Sequence, residues 1–145
     1  MGRDCAELIP WRLPVTTTQE MIRTHPLAGV KEGIAECIEA CYECAQVCSI
    51  CADACLSEQN AGELVRCIGM NLNCATICKA TGELLTRESS MDSGVVRAQL
   101  QACIEISGIC ASECEQHASH MEHCRVCAEE CRRCQEACRR LMAQL

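Results

Sequence analysis

CIEACYECAQVCSICADAC, residues Cys37 to Cys55, carries six cysteines at steps of four, three, four, three and four. That is the period of one face of an α-helix. A thiol repeated at that period stands where a helix bundle normally puts leucine. The same spacing returns in CRVCAEECRRCQEAC, Cys124 to Cys138. These two stretches decide the fold class, and the rest of the chain can be read outward from them.

The chain has 145 residues, enough for one domain with a modest core. It carries 18 cysteines, where an ordinary protein has roughly one or two per hundred residues. It has no Phe, one Tyr42 and one Trp11. Leu, Ile, Val, Ala and Cys must therefore fill the core. A net charge of -7 argues against nucleic acid or an acidic membrane surface as partner. The start, MGRDCAELIPWRLPVTTTQEM, shows no apolar signal region, twin arginine or small-residue cleavage site. Ala6 stands where a myristoylation signal wants Ser or Thr. No run of about 18 apolar residues is present to span a membrane. A cytoplasmic protein is expected. Thiols stay reduced there, which favours metal binding over a disulfide framework.

Thr17 with Glu20 offers a capping box for a short helix ending before Pro26. Pro26 can open a long helix over 27–56. SEQNAGE breaks it, and Asn60 with Glu63 can cap a second helix over 61–87. ESSMDSG precedes a third helix over 93–118. Ser119 with Glu122 is a further capping box, for a fourth helix to about 143. Strand signals are absent. Short connections make successive helices antiparallel neighbours. The expectation is an all-α, antiparallel up-down four-helix bundle over 27–145, preceded by an extension, 1–26, with one short helix.

Heptad placement gives four inward stripes. The first reads Leu27, Val30, Ile34, Cys37, Cys41, Cys44, Cys48, Cys51, Cys55. The second reads Leu64, Cys67, Asn71, Cys74, Cys78, Thr81, Leu85. The third reads Val96, Leu100, Cys103, Ser107, Cys110, Cys114, His117, Met121. The fourth reads His120, Cys124, Cys127, Cys131, Cys134, Cys138, Leu141, Leu145. Seventeen of the eighteen cysteines fall on these stripes; Cys5 alone does not. Antiparallel order gathers the aliphatic residues at one end as a plug. It puts sulfur along the middle, and His117, His120, Met121 and His123 at the other end.

Cysteine as a small hydrophobe explains one or two such positions, not seventeen. Thiols at i,i+4 on one helix do not readily meet disulfide torsions. Their sulfurs can sit about 4–5 Å apart, which suits a soft ion bridged almost linearly. Cu(I) selects thiolates and accepts two or three ligands. Zinc wants four in a tetrahedron, which a row of pairs along one helix does not supply. Charge points the same way. Buried thiolates need roughly one monovalent cation each, so many Cu(I) ions are expected, on the order of one per core cysteine. Imidazole and thioether are weaker, neutral ligands, suited to uptake and exit at the His- and Met-bearing end. Asn71 and Ser107 face inward without a thiol, either as a carbonyl or hydroxyl ligand or, the preferred reading, as packing residues. Glu32, Glu36, Glu39 and Glu43, with Arg132, Arg133, Arg139 and Arg140, read as solvated faces.

MIRTHP, AECIEACYECAQVCSICADAC, CATIC and CASECEQHASHMEHCRVCAEECRRCQEAC together resemble the bacterial four-helix-bundle copper storage proteins, cytosolic type. The likeness covers roughly 20–142. It implies Cu(I) held as thiolate clusters inside the bundle, uptake at the His/Met end, and often a homotetramer. By position the cluster ligands would be Cys37, Cys41, Cys44, Cys48, Cys51, Cys55, Cys67, Cys74, Cys78, Cys103, Cys110, Cys114, Cys124, Cys127, Cys131, Cys134 and Cys138. The end ligands would be His117, His120, Met121 and His123. The exported branch carries a secretion signal, which this chain lacks, and the stretch with Cys5 and Trp11 has no counterpart.

The leading expectation is a binding protein, not an enzyme. Three other classes stay open. A zinc-thiolate buffer would share every residue. An iron–sulfur protein would need a loop around the cluster and usually Cys-Pro, and no cysteine here precedes proline. A thiol-redox protein could use the CxxC pairs Cys41–Cys44, Cys48–Cys51, Cys124–Cys127 and Cys131–Cys134, though no thioredoxin-like βαβ pattern surrounds them.

Overall fold

A computed structural model describes residues 14–27 and 32–145. Helix α1 spans Thr17–Arg23, α2 Ile34–Leu56, α3 Val65–Leu85, α4 Ser93–Glu115 and α5 Glu122–Met142. Single 3-10 turns, Ala61–Leu64 and Glu88–Ser90, lie in the connections before α3 and α4. Among the described residues there is no strand. Helix α2 packs against α3 and α5, and α4 packs against the same two, so the four long helices form an antiparallel square. Helix α1 leans on α2. No described helix is long and apolar enough to cross a membrane.

The helix starts differ from the sequence expectation in instructive ways. The first capping box is real but sits one residue earlier. Thr16 caps α1, its hydroxyl accepting from the Gln19 amide at 3.1 Å while the Gln19 side chain accepts from the Thr16 amide. The long helix does not open at Pro26. Gly33 takes the left-handed conformation, φ 84°, which interrupts any helix and restarts it at Ile34. Leu27, expected inside, is consequently 49 % exposed. Val30, Cys5 and Trp11 lie outside the described residues. The expected Ser119 box does not form either. Residues 116–120 turn back so that the His120 and Met121 amides both bond the His117 carbonyl, and α5 begins after Met121 with no side-chain cap.

All seventeen described cysteines are buried, together with Ile34, Leu64, Leu85, Val96, Leu100 and Leu141. Ile34, Leu85, Val96, Leu100 and Leu141 close one end, as the stripes require, with Leu145 half-buried beside them. Leu64 and Met121 are buried near the opposite end. The bundle is therefore capped by apolar groups at both ends, with sulfur between. Of the charges expected on solvated faces, all are exposed except Glu39, which is half-buried.

Two glycine substitutions should move stability in opposite directions. Gly33→Ala forces a side chain into a left-handed residue and should destabilise the copper-free protein by about 1–2 kcal/mol. Gly69, inside α3, has open space where a Cβ would stand, so Gly69→Ala should stabilise by about 0.5–1 kcal/mol. Chemical denaturation of the two variants checks both signs.

Candidate metal centre

Helical period delivers the sulfurs to one axis, and antiparallel order interleaves them. Near the plugged end Cys37 and Cys41 meet Cys138 at 3.7 and 3.8 Å, and Cys134 lies 3.9 Å from both Cys41 and Cys78. Cys78 is 3.8 Å from Cys103 and 3.7 Å from Cys74. In the middle Cys44 stands 3.9 Å from Cys74 and 3.8 Å from Cys131, while Cys48 stands 3.6 Å from Cys131 and 3.8 Å from Cys127. These are weak hydrogen-bonding contacts between free thiols, far longer than the roughly 2.05 Å of a disulfide.

The four-donor groups were not legible from one helix at a time. Cys41, Cys103, Cys134 and Cys138 bring their sulfurs within 4.8 Å of one another, drawn from three helices. Cys44, Cys48, Cys74 and Cys131 do the same, as do Cys48, Cys110, Cys127 and Cys131. A row along one helix still does not supply four ligands, as the sequence reading has it. The missing ligands come from across the bundle, not along the stripe.

Asn71 does more than pack. Its side-chain oxygen accepts from the Cys127 thiol at 3.0 Å and the Cys110 thiol at 3.3 Å. Its amide nitrogen donates to the Cys67 carbonyl at 3.0 Å and lies 3.5 Å from the Cys67 sulfur. The Cys67 and Cys114 sulfurs are 3.9 Å apart beside it. One fully buried amide therefore joins four thiols where the sulfur column would otherwise need a fifth. Ser107 plays a looser part, its hydroxyl 3.8 Å from Cys78.

At the end opposite the plug, Cys51 and Cys124 are 4.0 Å apart. His123 Nδ1 lies 3.4 Å from the Cys51 sulfur and 3.6 Å from that of Cys124, and Cys55 completes the group. His123 Nε2 is 3.0 Å from Glu58. His117 lies half-buried at the rim, 3.6 Å from Glu113, whose other oxygen accepts from Arg66 at 3.1 Å. Met121 is buried. His120 does not continue the inward stripe. It is exposed on the turn before α5, because that turn breaks the helical period at 116–120. Glu58, Glu113 and Arg66 escaped sequence reading, since single charged residues in a connection or beside a cysteine carry no periodic signal.

Hydrogen bonding among the thiols divides them. Bonds from Cys138 and Cys41 pull the Cys37 thiol down to about 5, and a bond from Cys110 pulls Cys114 down to about 5. Donors such as Cys110 and Cys41 are pushed up, chiefly by the bonds they give to Cys114 and Cys103 respectively. Cys124 is pushed up to about 12, first by burial.

A family model described as copper storage protein matches residues 30–143. The chain is similar to the copper storage protein Ccsp from Streptomyces lividans, solved with 10 copper equivalents. That likeness has 48 % identity and a TM-score of 0.86, covering 89 % of this chain and 100 % of the other. A structure of a cytosolic copper storage protein from Streptomyces lividans with five coppers is similar at 50 % identity and a TM-score of 0.77. It covers 79 % of this chain and 95 % of the other. The Cu(I)-bound copper storage protein BsCsp3 is similar at 31 % identity and a TM-score of 0.67, covering 76 % of this chain and 98 % of the other.

Two measurements follow from this geometry. Asn71→Ala strands the Cys110 and Cys127 donors and should destabilise the copper-free protein by about 1–3 kcal/mol in chemical denaturation. The second concerns pH. Burial pushes the Cys124 thiol up from its ordinary 9.0 to about 12, so its neutral form favours the fold. That stability is fully present below about pH 9 and is lost as pH rises toward 12. Melting temperature of the reduced copper-free protein should fall over that window.

Proposed function

The chain belongs to the copper storage protein family, and on that premise we propose that it holds many Cu(I) ions along the thiol column of its bundle in the cytosol. One observation carries the reading: seventeen buried, free cysteines share one core, with neighbouring sulfurs in contact from the plug to the uptake end. No fold needs that many thiols for packing, and no single cofactor uses them all.

Charge explains why the cargo is monovalent. Protons neutralise the sulfurs in the copper-free state, and the core then behaves as an apolar one. Each Cu(I) that replaces a proton leaves the charge unchanged, so loading can proceed down the column without building up a buried field. Ions bridged by two sulfurs, with each sulfur bridging two ions, give on the order of one Cu(I) per cysteine. The ligands proposed are Cys37, Cys41, Cys44, Cys48, Cys51, Cys55, Cys67, Cys74, Cys78, Cys103, Cys110, Cys114, Cys124, Cys127, Cys131, Cys134 and Cys138. This assignment rests on their shared burial and contact.

Uptake is assigned to the end bearing His117, His120, Met121 and His123. His120 would meet Cu(I) outside, His117 and Met121 would pass it inward, and His123 would deliver it to Cys51 and Cys124. His120 is exposed at the outside, His117 is half-buried at the rim, and only His123 touches column sulfurs, 3.4 Å from Cys51 and 3.6 Å from Cys124, which supports a route from His120 to His123. The storage unit would be the bundle, 27–145, with 1–26 as an extension. Within this reading the protein is a non-catalytic store, assembled as a homotetramer, and its net charge of -7 gives it no affinity for nucleic acid or an acidic membrane surface.

Anaerobic Cu(I) titration of the reduced protein, against a competing Cu(I) chelator, tests the reading. Expected are a dozen or more ions per chain, about one per core thiol, retained against the chelator. A His117→Ala, Met121→Ala double variant should keep that capacity and load at least about tenfold more slowly. Saturation at a few ions would refute storage, and unchanged loading kinetics would refute the assigned route.

A further inference from the structure

The group formed by Cys51, Cys55, His123 and Cys124 shares a near-tetrahedral spacing with the deeper four-donor groups and differs from them in its imidazole and its charge, and together these point to a second metal. The first is geometry. Bonds of ~2.3 Å to sulfur and ~2.0–2.1 Å to nitrogen make a tetrahedron around zinc with S···S edges of ~3.8 Å and S···N edges of ~3.6 Å. Here Cys51 and Cys124 are 4.0 Å apart, and His123 Nδ1 is 3.4 and 3.6 Å from their sulfurs. The Cys55 sulfur lies within 4.8 Å of the other three donors. Three edges of the tetrahedron are thus already set in the metal-free protein.

The second is the orientation of the imidazole. His123 Nε2 lies 3.0 Å from a Glu58 oxygen. A carboxylate there takes the Nε2 proton in a hydrogen bond and leaves the Nδ1 lone pair aimed at the sulfurs. Carboxylate, histidine and metal in that order is the arrangement by which proteins fix a histidine ligand for zinc. The three deeper four-donor groups described above contain cysteine alone.

The third is charge. A divalent ion with three thiolates and one neutral imidazole carries one net negative charge. The same ion on four thiolates carries two, and would carry them in a fully buried core. The His123 group also lies where water can reach it: the side chains of His123 and Glu58 are 23 % and 37 % exposed. A divalent ion is therefore directed to this end of the column and kept out of its interior.

We propose that Cys51, Cys55, His123 and Cys124 hold one zinc-class divalent ion in the copper-free protein, with Glu58 positioning His123. The ion would close the uptake end of an otherwise thiol-filled column until Cu(I), which thiolates prefer, displaces it. This metal is distinct from the stored copper.

Cobalt(II) serves as the spectroscopic probe. Reduced, copper-free full-length protein is titrated with Co2+ under anaerobic conditions, following ligand-field and thiolate charge-transfer absorption, and then with Zn2+. Expected is an intense tetrahedral spectrum complete at about one equivalent and abolished by one equivalent of Zn2+. His123→Ala should alter the ligand-field bands and weaken binding. Glu58→Ala should weaken it about 10–100-fold, and Glu58→Gln, which keeps an oxygen acceptor, should restore most of the loss. Glu36→Gln, on the exposed face at the plugged end, should leave the Co2+ titration unchanged. Added Cu(I) should release the zinc to a chromophoric chelator. Weak octahedral absorption, uptake of several Co2+ with no step at one equivalent, or a spectrum indifferent to His123→Ala would overturn the proposal. The Cu(I) capacity of each variant is measured separately, so failure here leaves the storage reading to its own test.

Discussion

A sulfur column can be buried only while it is neutral. Seventeen buried thiols, most of them 3.6–4.0 Å from a neighbouring sulfur, form a core as long as each holds a proton or a share of a monovalent ion. That constraint shapes the rest of the molecule. It requires helices, because only a helical period keeps every sulfur on one face. It requires one end to be closed by aliphatic side chains, because an end open to water on both sides of the column would leave no stretch of it fully buried. It also makes loading compatible with folding, since replacing a proton by Cu(I) alters neither the charge nor the helix faces that are buried.

Within that constraint the two ends do different work. The plugged end, built from Ile34, Leu85, Val96, Leu100 and Leu141, carries no ligand and fixes the bundle. The opposite end mixes Leu64 and Met121 with imidazoles tied to carboxylates. Each of the two histidine–carboxylate contacts holds a side chain that would otherwise swing freely at the helix end. Asn71 marks the passage between the two regimes. It hydrogen-bonds to Cys110 and Cys127 on one side and to Cys67 on the other, so the column stays continuous where a stripe position lacks sulfur.

Much of this is legible because cysteine declares itself twice, by period and by chemistry. The spacing of Cys37 to Cys55 and of Cys124 to Cys138 specifies helix, face and ligand type together, and every described cysteine is buried where the stripes put it. The start of the long helix is not legible in the same way. Pro26 reads as a helix opener, whereas the left-handed Gly33 sets the boundary. His120 falls off the expected stripe because a heptad cannot be extended through a turn that has no helical period. The four-donor groups and the links from Glu58 to His123 and from Arg66 to Glu113 join residues far apart in sequence. Such pairings depend on the rotation of whole helices, which a stripe does not specify.

The central claim is that copper lies inside the bundle, along the sulfur column. Anomalous diffraction at the copper edge, from crystals of fully loaded protein, tests it most directly. The account predicts a file of copper sites on the bundle axis from the His123 group to Cys37 and Cys138, between helices that keep their present partners. Copper confined to the surface or to the His-bearing end, with the deep thiols still protonated, would contradict it.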